Sequence, residues 1–116
     1  MYMSPEIWSD QTYGKPVDMW SFGIIAYILL GGYPPFYDED RRRLGQRILR
    51  GTFVFDKQFW GNVSDMAKDF ITQLLQVDRV KRMTVDQALD HPWVRIRYRC
   101  YYIYSVLYII LHVFFI

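Results

Sequence analysis

Apolar residues recur at helical spacing in three stretches of the chain. Residues 17–30 are apolar on almost every side, which predicts a helix enclosed by other parts of the protein. Residues 41–50 carry Leu44, Ile48 and Leu49 at intervals of four and one, the spacing of one helical face. Residues 64–76 contain a similar stripe, made of Met66, Phe70, Ile71, Leu74 and Leu75. The hydrophobic pattern therefore predicts one buried helix and two amphipathic helices.

Local sequence signals predict where the first of these helices begin and end. Pro5 is tolerated in the first turn of a helix, so one short helical turn is expected after it. The Gly and Pro residues of 31–35 end the apolar helix. The acidic residues 38–40 favour the start of the next helix, because its N-terminus is the positive end of the helix dipole. Gly51 ends that helix.

The second half of the chain carries further helix signals. Residues 52–63 are irregular but rich in aromatic side chains, which predicts a segment that folds back onto the core. Ser64 is a good N-cap for the following helix. Thr84 and Gln87 have the spacing of a capping box, which predicts a last short helix ending before Pro92. The predicted fold class is all-α with long loops.

Length, charge and cysteine content limit the number of domains, the type of partner and the cellular compartment. The chain has 116 residues, 52% of them hydrophobic, which suits one domain or a piece of one with a buried core. Residues 1–94 carry 11 Lys/Arg against 12 Asp/Glu, and the net charge of +2 arises from the arginines at 95, 97 and 99. Because 1–94 has no net positive charge, no nucleic-acid partner is expected. Cys100 is the only cysteine, which favours a reducing, cytoplasmic or other intracellular compartment.

Four motifs occur in a fixed order along residues 1–94. They are Met3-Ser4-Pro5-Glu6, Asp18-Met19-Trp20-Ser21-Phe22-Gly23, Gly31-Gly32-Tyr33-Pro34-Pro35-Phe36, and 78–84 followed by 88–94. In this order they resemble the C-terminal lobe of a eukaryotic Ser/Thr protein kinase, with Ser4 in place of Ala in the Ala-Pro-Glu motif. The sequences of 47–51, 67–71 and 74–78 are similar to those of the calmodulin-dependent-kinase-like group, most of all to the serine kinase H branch.

The resemblance implies a partial kinase domain over 1–94, with helices packed around a buried central helix. It also implies roles for particular residues. Glu6 and Arg82 would form a buried ion pair, Asp18 would anchor the catalytic loop, and Tyr2 and Met3 would end the substrate-binding loop. Without the motifs, Glu6 and Arg82 would be interpreted as ordinary surface charges, and Asp18 as a charge at the N-terminus of a helix. Tyr2 and Met3 read as an untethered chain end.

Residues Arg41, Arg42 and Arg43 form a basic triplet with two interpretations. It is either a solvated helix face or, as the resemblance implies, part of a helix that docks acidic or protein substrates. The two histidines, His91 and His112, share no metal-ligand spacing with each other or with Cys100, so no metal site is expected.

Phosphoryl transfer requires a glycine-rich loop, a strand Lys, a catalytic Asp and metal-binding Asp and Asn residues. None of the corresponding motifs occurs in the chain. We therefore expect no catalytic or cofactor-binding residue here, although the intact family uses ATP and Mg. The chain alone is expected to be inactive, with a protein substrate or the missing N-terminal portion of the kinase as its partner. The rival functions are a noncatalytic docking module and a membrane-anchored kinase remnant.

The amino-acid composition of the chain changes at residue 95. Three arginines alternate with other residues over 95–99, and 100–116 then contains no Asp, Glu, Lys or Arg. Seventeen such residues lie at the lower limit for a membrane span, and the arginines would lie on the cytoplasmic side. Three interpretations of 95–116 remain: a membrane segment, a non-native extension of the chain, and an amphipathic partner-binding segment.

Overall fold

Every regular element in the described part of the chain is an α-helix, and loops connect them, which confirms the all-α prediction. A computed structural model describes residues 3–9 and 14–97, with side chains as far as 95. Seven helices lie in these ranges. They are α1 (Pro5–Trp8), α2 (Lys15–Gly31), α3 (Arg41–Arg50), α4 (Lys57–Trp60), α5 (Asp65–Leu74), α6 (Val85–Asp90) and α7 (Pro92–Arg97).

The apolar helix α2 is the central element, which confirms the predicted architecture. It contributes to two clusters of buried side chains on different sides. The first joins α2 to α3, α4 and α5, through Trp20, Ile24, Ala26, Tyr27, Phe36, Ile48, Trp60, Ile71 and Leu75, and the partly buried Phe53 and Phe55 of the aromatic segment pack against it. The second joins the start of α2 to α5, α6 and α7, through Met19, Phe22, Phe70, Leu74, Met83, Ala88 and Val94. Because both clusters use α2, the other helices are held in place by packing on it.

One face of α2 stays open in the described part of the chain. Asp18, Ile25 and Leu29 lie at intervals of seven and four residues, so they share this face. Ile25 is half-buried, and Leu29 is 71% exposed. The prediction that α2 is enclosed on almost every side is therefore wrong for this face. The reason is that no described element packs against it.

The predicted boundaries of α3 are confirmed by its caps. The Asp40 carboxylate accepts hydrogen bonds from the backbone N–H groups of Arg42 and Arg43, at 2.7 and 3.2 Å. Gly51 ends the helix in the left-handed conformation, with φ 63°, which favours glycine. Local chemistry at the two ends therefore accounts for the length of this helix.

The two later N-caps are also as predicted. Ser64 Oγ accepts a hydrogen bond from the backbone N–H of Ala67 at 3.2 Å, and α5 begins at the next residue. Thr84 and Gln87 form a reciprocal capping box at the start of α6, with bonds of 3.0 and 3.3 Å. Each cap satisfies backbone donors that the first helical turn leaves without an intrahelical partner.

Some predicted core positions are wrong. Leu49 and Met66 are exposed, because each lies at the margin of its apolar stripe. Phe59, in the aromatic segment predicted to fold back onto the core, is also exposed, although its ring packs against Tyr33. The prediction also missed α7. Pro92 does not only end α6; it stands at the first position of a new helix, where a missing N–H is harmless.

Within residues 3–9 and 14–97, no helix combines the length and the apolarity that crossing a bilayer requires. The segment 100–116, interpreted above as a membrane segment, an extension or a partner-binding segment, lies outside the described residues. Cys100, His112 and Tyr2 also lie outside them.

Candidate functional site

Arg82 is the centre of the most connected polar site in the described structure. It lies in the loop between α5 and α6 and is only 2% exposed. Its Nη1 and Nη2 atoms donate to Oε1 and Oε2 of Glu6, at 2.7 and 3.0 Å. The same guanidinium donates to the carbonyl oxygens of Pro16 at 2.6 Å, Gln76 at 2.9 Å and Val77 at 3.3 Å. All five N–H groups of the guanidinium thus have an acceptor.

The loop that presents Arg82 is ordered by its own hydrogen bonds. The carbonyl oxygen of Asp78 accepts from the backbone N–H groups of Lys81 and Arg82, at 3.1 and 3.0 Å. The Asp78 carboxylate accepts from the N–H of Val80 at 2.9 Å. The centroid of the Trp20 ring lies 5.1 Å from the Arg82 Cζ atom, close enough for a cation–π interaction. These contacts fix the orientation of the guanidinium that faces Glu6.

Glu6 is nearly as buried as its partner, at 4% exposed. Burial by itself raises the pKa of a carboxyl group, but the hydrogen bonds and positive charge of Arg82 outweigh burial, and the pKa of Glu6 is lowered. Glu6 is therefore ionised at neutral pH and forms a two-bond ion pair with Arg82. A planar guanidinium facing a carboxylate in this way fixes orientation as well as distance.

The ion pair attaches α1 to the rest of the fold. Glu6 lies in α1, Pro16 at the start of α2, and Val77 just beyond α5, so one side chain joins three separate parts of the chain. Met3 immediately precedes this attachment and is partly exposed. Tyr2, the other residue assigned to the substrate-binding loop, lies outside the described residues. The arrangement joins Glu6 of α1, three residues after Met3, to the start of α2 through Arg82.

Asp18 is not part of this site. It lies in the first turn of α2 and is exposed to solvent. Among the described residues, its carboxylate forms no ion pair and no side-chain hydrogen bond. The structure thus brings Glu6 and Arg82 together and leaves Asp18 on the open face of α2.

The basic triplet at the start of α3 is divided among different contacts. Arg43 and Arg47 both bind the Asp38 carboxylate through Nε, at 3.3 Å each. Arg41 lies over the Trp8 ring of α1, with its Cζ atom 5.7 Å from the ring centroid. Arg42 is exposed. The arginines therefore form a solvent-facing surface that is only partly neutralised by nearby acids.

Sequence reasoning missed a polar pair between α5 and the start of α7. His91 Nε2 lies 2.9 Å from Asp69 Oδ2, and His91 Nδ1 accepts the backbone N–H of Trp93 at 3.1 Å. Because Nδ1 accepts, the proton of the neutral ring lies on Nε2 and is donated to Asp69. The two residues are 22 positions apart, and no spacing rule links them.

The chain is similar to known proteins over most of its length. The family described as "Protein kinase domain" matches residues 1–94. Over 93 residues the chain is 56% identical to calcium/calmodulin-dependent protein kinase type 1 of Macrobrachium nipponense. It is 52% identical to the same kinase of Caenorhabditis elegans and to type 1B of Homo sapiens. These matches cover 80% of this chain and 27% of each relative, so the chain spans about a quarter of their length.

Glu6→Gln is expected to lower the free energy of unfolding by about 3–5 kcal/mol, because it leaves a buried guanidinium without its charge partner. Asp90→Asn is the matched control, since the Asp90–Arg95 pair is largely exposed at 72% and 67%. The control should cost less than about 1 kcal/mol. Urea denaturation of the 116-residue chain measures both. Equal costs for the two variants would contradict the central role given to the buried pair.

The lowered pKa of Glu6 predicts an acid-sensitive contribution to stability. The folded state binds a proton at Glu6 less readily than the unfolded state, whose glutamate pKa is about 4.3. The contribution of Glu6 is therefore complete above that pH and is lost as the pH falls through the lowered value. Urea titrations at a series of pH values below 5 should show a smaller loss of stability in Glu6→Gln than in the original chain. Parallel curves for the two proteins would show that Glu6 is not the group responsible.

Proposed function

Since this chain belongs to the protein kinase domain family, we propose that it supplies part of the C-terminal lobe of a calmodulin-dependent-kinase-like Ser/Thr protein kinase. The intact protein would transfer the γ-phosphate of ATP to Ser or Thr of a protein substrate. The observation that carries the proposal is the buried Glu6–Arg82 pair, within a chain more than half identical to a type 1 kinase over 93 residues.

The role proposed for the pair is to position the substrate-binding loop. Glu6 follows Met3 by three residues, and Arg82 ties Glu6 to the start of α2 through Pro16. A loop attached so close to a rigid point loses much of its freedom, and its backbone can present one shape to a substrate. This fixed geometry reduces the entropy lost when substrate binds.

The open face of α2 is the proposed docking site for the N-terminal portion of the kinase. Leu29 and Ile25 offer apolar surface, and the exposed Asp18 side chain offers hydrogen-bond acceptors at the start of the same face. A backbone loop that donates hydrogen bonds to Asp18 and covers the apolar pair would bury all three. We propose that the catalytic loop of the intact kinase occupies this position.

Protein kinases use ATP and Mg ions, and the residues of this chain do not fit either one. The seven glycines form no Gly-x-Gly-x-x-Gly run, and no His is followed by Arg-Asp. Within the ranges that the structure describes, no three His, Cys, Asp or Glu side chains are grouped as metal ligands would be. We therefore propose that other segments of the intact kinase bind the nucleotide. No chemical step is assigned to residues of this chain.

A second candidate function is noncatalytic docking of an acidic protein segment on α3. The observation that favours it is the density of arginine: 41, 42, 43, 47 and 50 lie on one ten-residue helix. Arg43 and Arg47 share the single carboxylate of Asp38 and keep 68% and 58% of their side chains exposed. Their outer N–H groups are thus available to carboxylates of a partner.

A chimeric kinase tests the first proposal. In type 1B of Homo sapiens, the 93-residue segment similar to this chain is replaced by the corresponding residues of this chain. The chimera is expected to phosphorylate a peptide substrate, and Asp18→Asn is expected to reduce kcat at least tenfold by weakening the anchor of the catalytic loop. Asp86→Asn, an exposed acidic residue in the first turn of α6, is the matched control and should leave kcat unchanged. A folded chimera that transfers no phosphate would refute the proposal.

The unaltered 116-residue chain, assayed with labelled ATP and Mg, should transfer no phosphate above the blank. Phosphorylation by this chain alone would show that the missing motifs are not required and that nucleotide binding was wrongly assigned to other segments.

Docking on α3 is tested with fluorescein-labelled deca-glutamate and the full chain. Fluorescence anisotropy should rise on binding at low salt and fall as salt is added, because the contacts are between exposed charges. Arg42→Gln should weaken binding several-fold, whereas Arg95→Gln, an exposed arginine on α7, should have little effect. Equal weakening by both variants would mean that the peptide recognises net charge and not α3.

A further inference from the structure

Trp8 connects α1 to α3 through an unusually close contact with glycine. A Cβ atom at Gly45 would lie 2.9 Å from Trp8 Cε3 and 3.0 Å from Cζ3, closer than side chains tolerate. Gly45 is buried in the middle of α3, where glycine is a poorer helix former than alanine. The absence of a side chain at this position is therefore what admits the indole ring.

Arg41 meets the same ring from the preceding turn of α3. It is four residues before Gly45, so the two share one face of the helix. The Arg41 guanidinium lies 5.7 Å from the ring centroid, and the Arg41 side chain is exposed. The Trp8 indole N–H is buried without a hydrogen-bond partner among the described residues. The ring is thus held by packing and by one exposed cation, and no hydrogen bond seen here fixes it.

The helix α1 consequently has two attachments of different character. Glu6 is bound to Arg82, which is buried and fully hydrogen-bonded. Trp8 is bound to α3 through Arg41, which solvent and ligands can reach. Met3 lies just before α1, so a change in the second attachment can alter the segment that contains Met3 while the first one holds.

We propose that Trp8 is a positioning residue that transmits binding of an acidic protein segment on α3 to α1 and Met3. A carboxylate of the bound segment pairs with Arg41 and withdraws its guanidinium from the Trp8 ring. Exposed ion pairs and exposed cation–π contacts are of similar strength, so the exchange is feasible. The freed ring then shifts on Gly45, and α1 moves with it. This inference rests on the docking function proposed for α3.

The test uses the full chain labelled with 5-fluorotryptophan and methyl-¹³C-methionine, titrated with deca-glutamate. Trp8→Phe and Met3→Leu variants assign the two signals. The Trp8 and Met3 signals are expected to shift with the same half-saturation concentration as the anisotropy of the labelled peptide. The signals of Trp93, which packs against the second cluster, and of Met66 in α5 should not move. Arg41→Gln should abolish both shifts while peptide still binds through the other arginines, and Gln46→Ala, an exposed neighbour on α3, should preserve them.

The Gly45→Ala variant tests the same coupling without any peptide. Its methyl group should displace the ring, so the Met3 signal should shift without peptide, and Trp8→Leu should remove that effect. Peptide binding with unmoved Trp8 and Met3 signals would overturn the coupling and leave docking intact. A peptide that does not bind at all would overturn docking and coupling together. A Gly45→Ala chain with an unchanged Met3 signal would also overturn the coupling, since a displacement of the Trp8 ring would then have no effect at Met3.

Discussion

The pairing of Glu6 with Arg82 is the interaction on which the arrangement of this chain depends. It joins residues 76 positions apart, and its carboxylate and guanidinium are both almost completely removed from water. Two such charges are stable in the interior only if their remaining hydrogen-bonding capacity is satisfied. The carbonyl oxygens around Arg82 meet that requirement, and they can do so only when α1, α2 and the end of α5 are all in place. The pair is therefore stable only when the three segments are correctly assembled, and it stabilises that assembly.

The central helix α2 organises the rest by hydrophobic packing. Two clusters of buried side chains converge on it from different sides, and its third face carries Asp18, the half-buried Ile25 and the exposed Leu29. Exposed apolar side chains on a central helix are commonly covered by a partner. The proposed docking of further kinase elements on α2 accounts for this face. The chain spans about a quarter of the length of the relatives that it matches.

Local signals predicted much of the helical structure correctly. Ser64 and Thr84 each cap a helix as predicted, because a cap depends only on atoms within about one turn. Asp40, predicted only as a favourable charge at the start of α3, is also an N-cap. Edges of apolar stripes were predicted less well. Leu49 and Met66 fit the helical period but are exposed, since the period gives the direction of a side chain and not the width of the surface that covers it.

The order of short motifs along the chain was enough to indicate the family, and helical periodicity with caps was enough to indicate the elements, since both are properties of neighbouring residues. The joining of Glu6 to Arg82 was implied by resemblance alone, and no spacing rule could have derived it. The contacts of Trp8 with Gly45, and of His91 with Asp69, were decided by the tertiary structure. They depend on how distant helices approach one another, and that approach is set by the packing of the whole core and not by any local stretch of sequence.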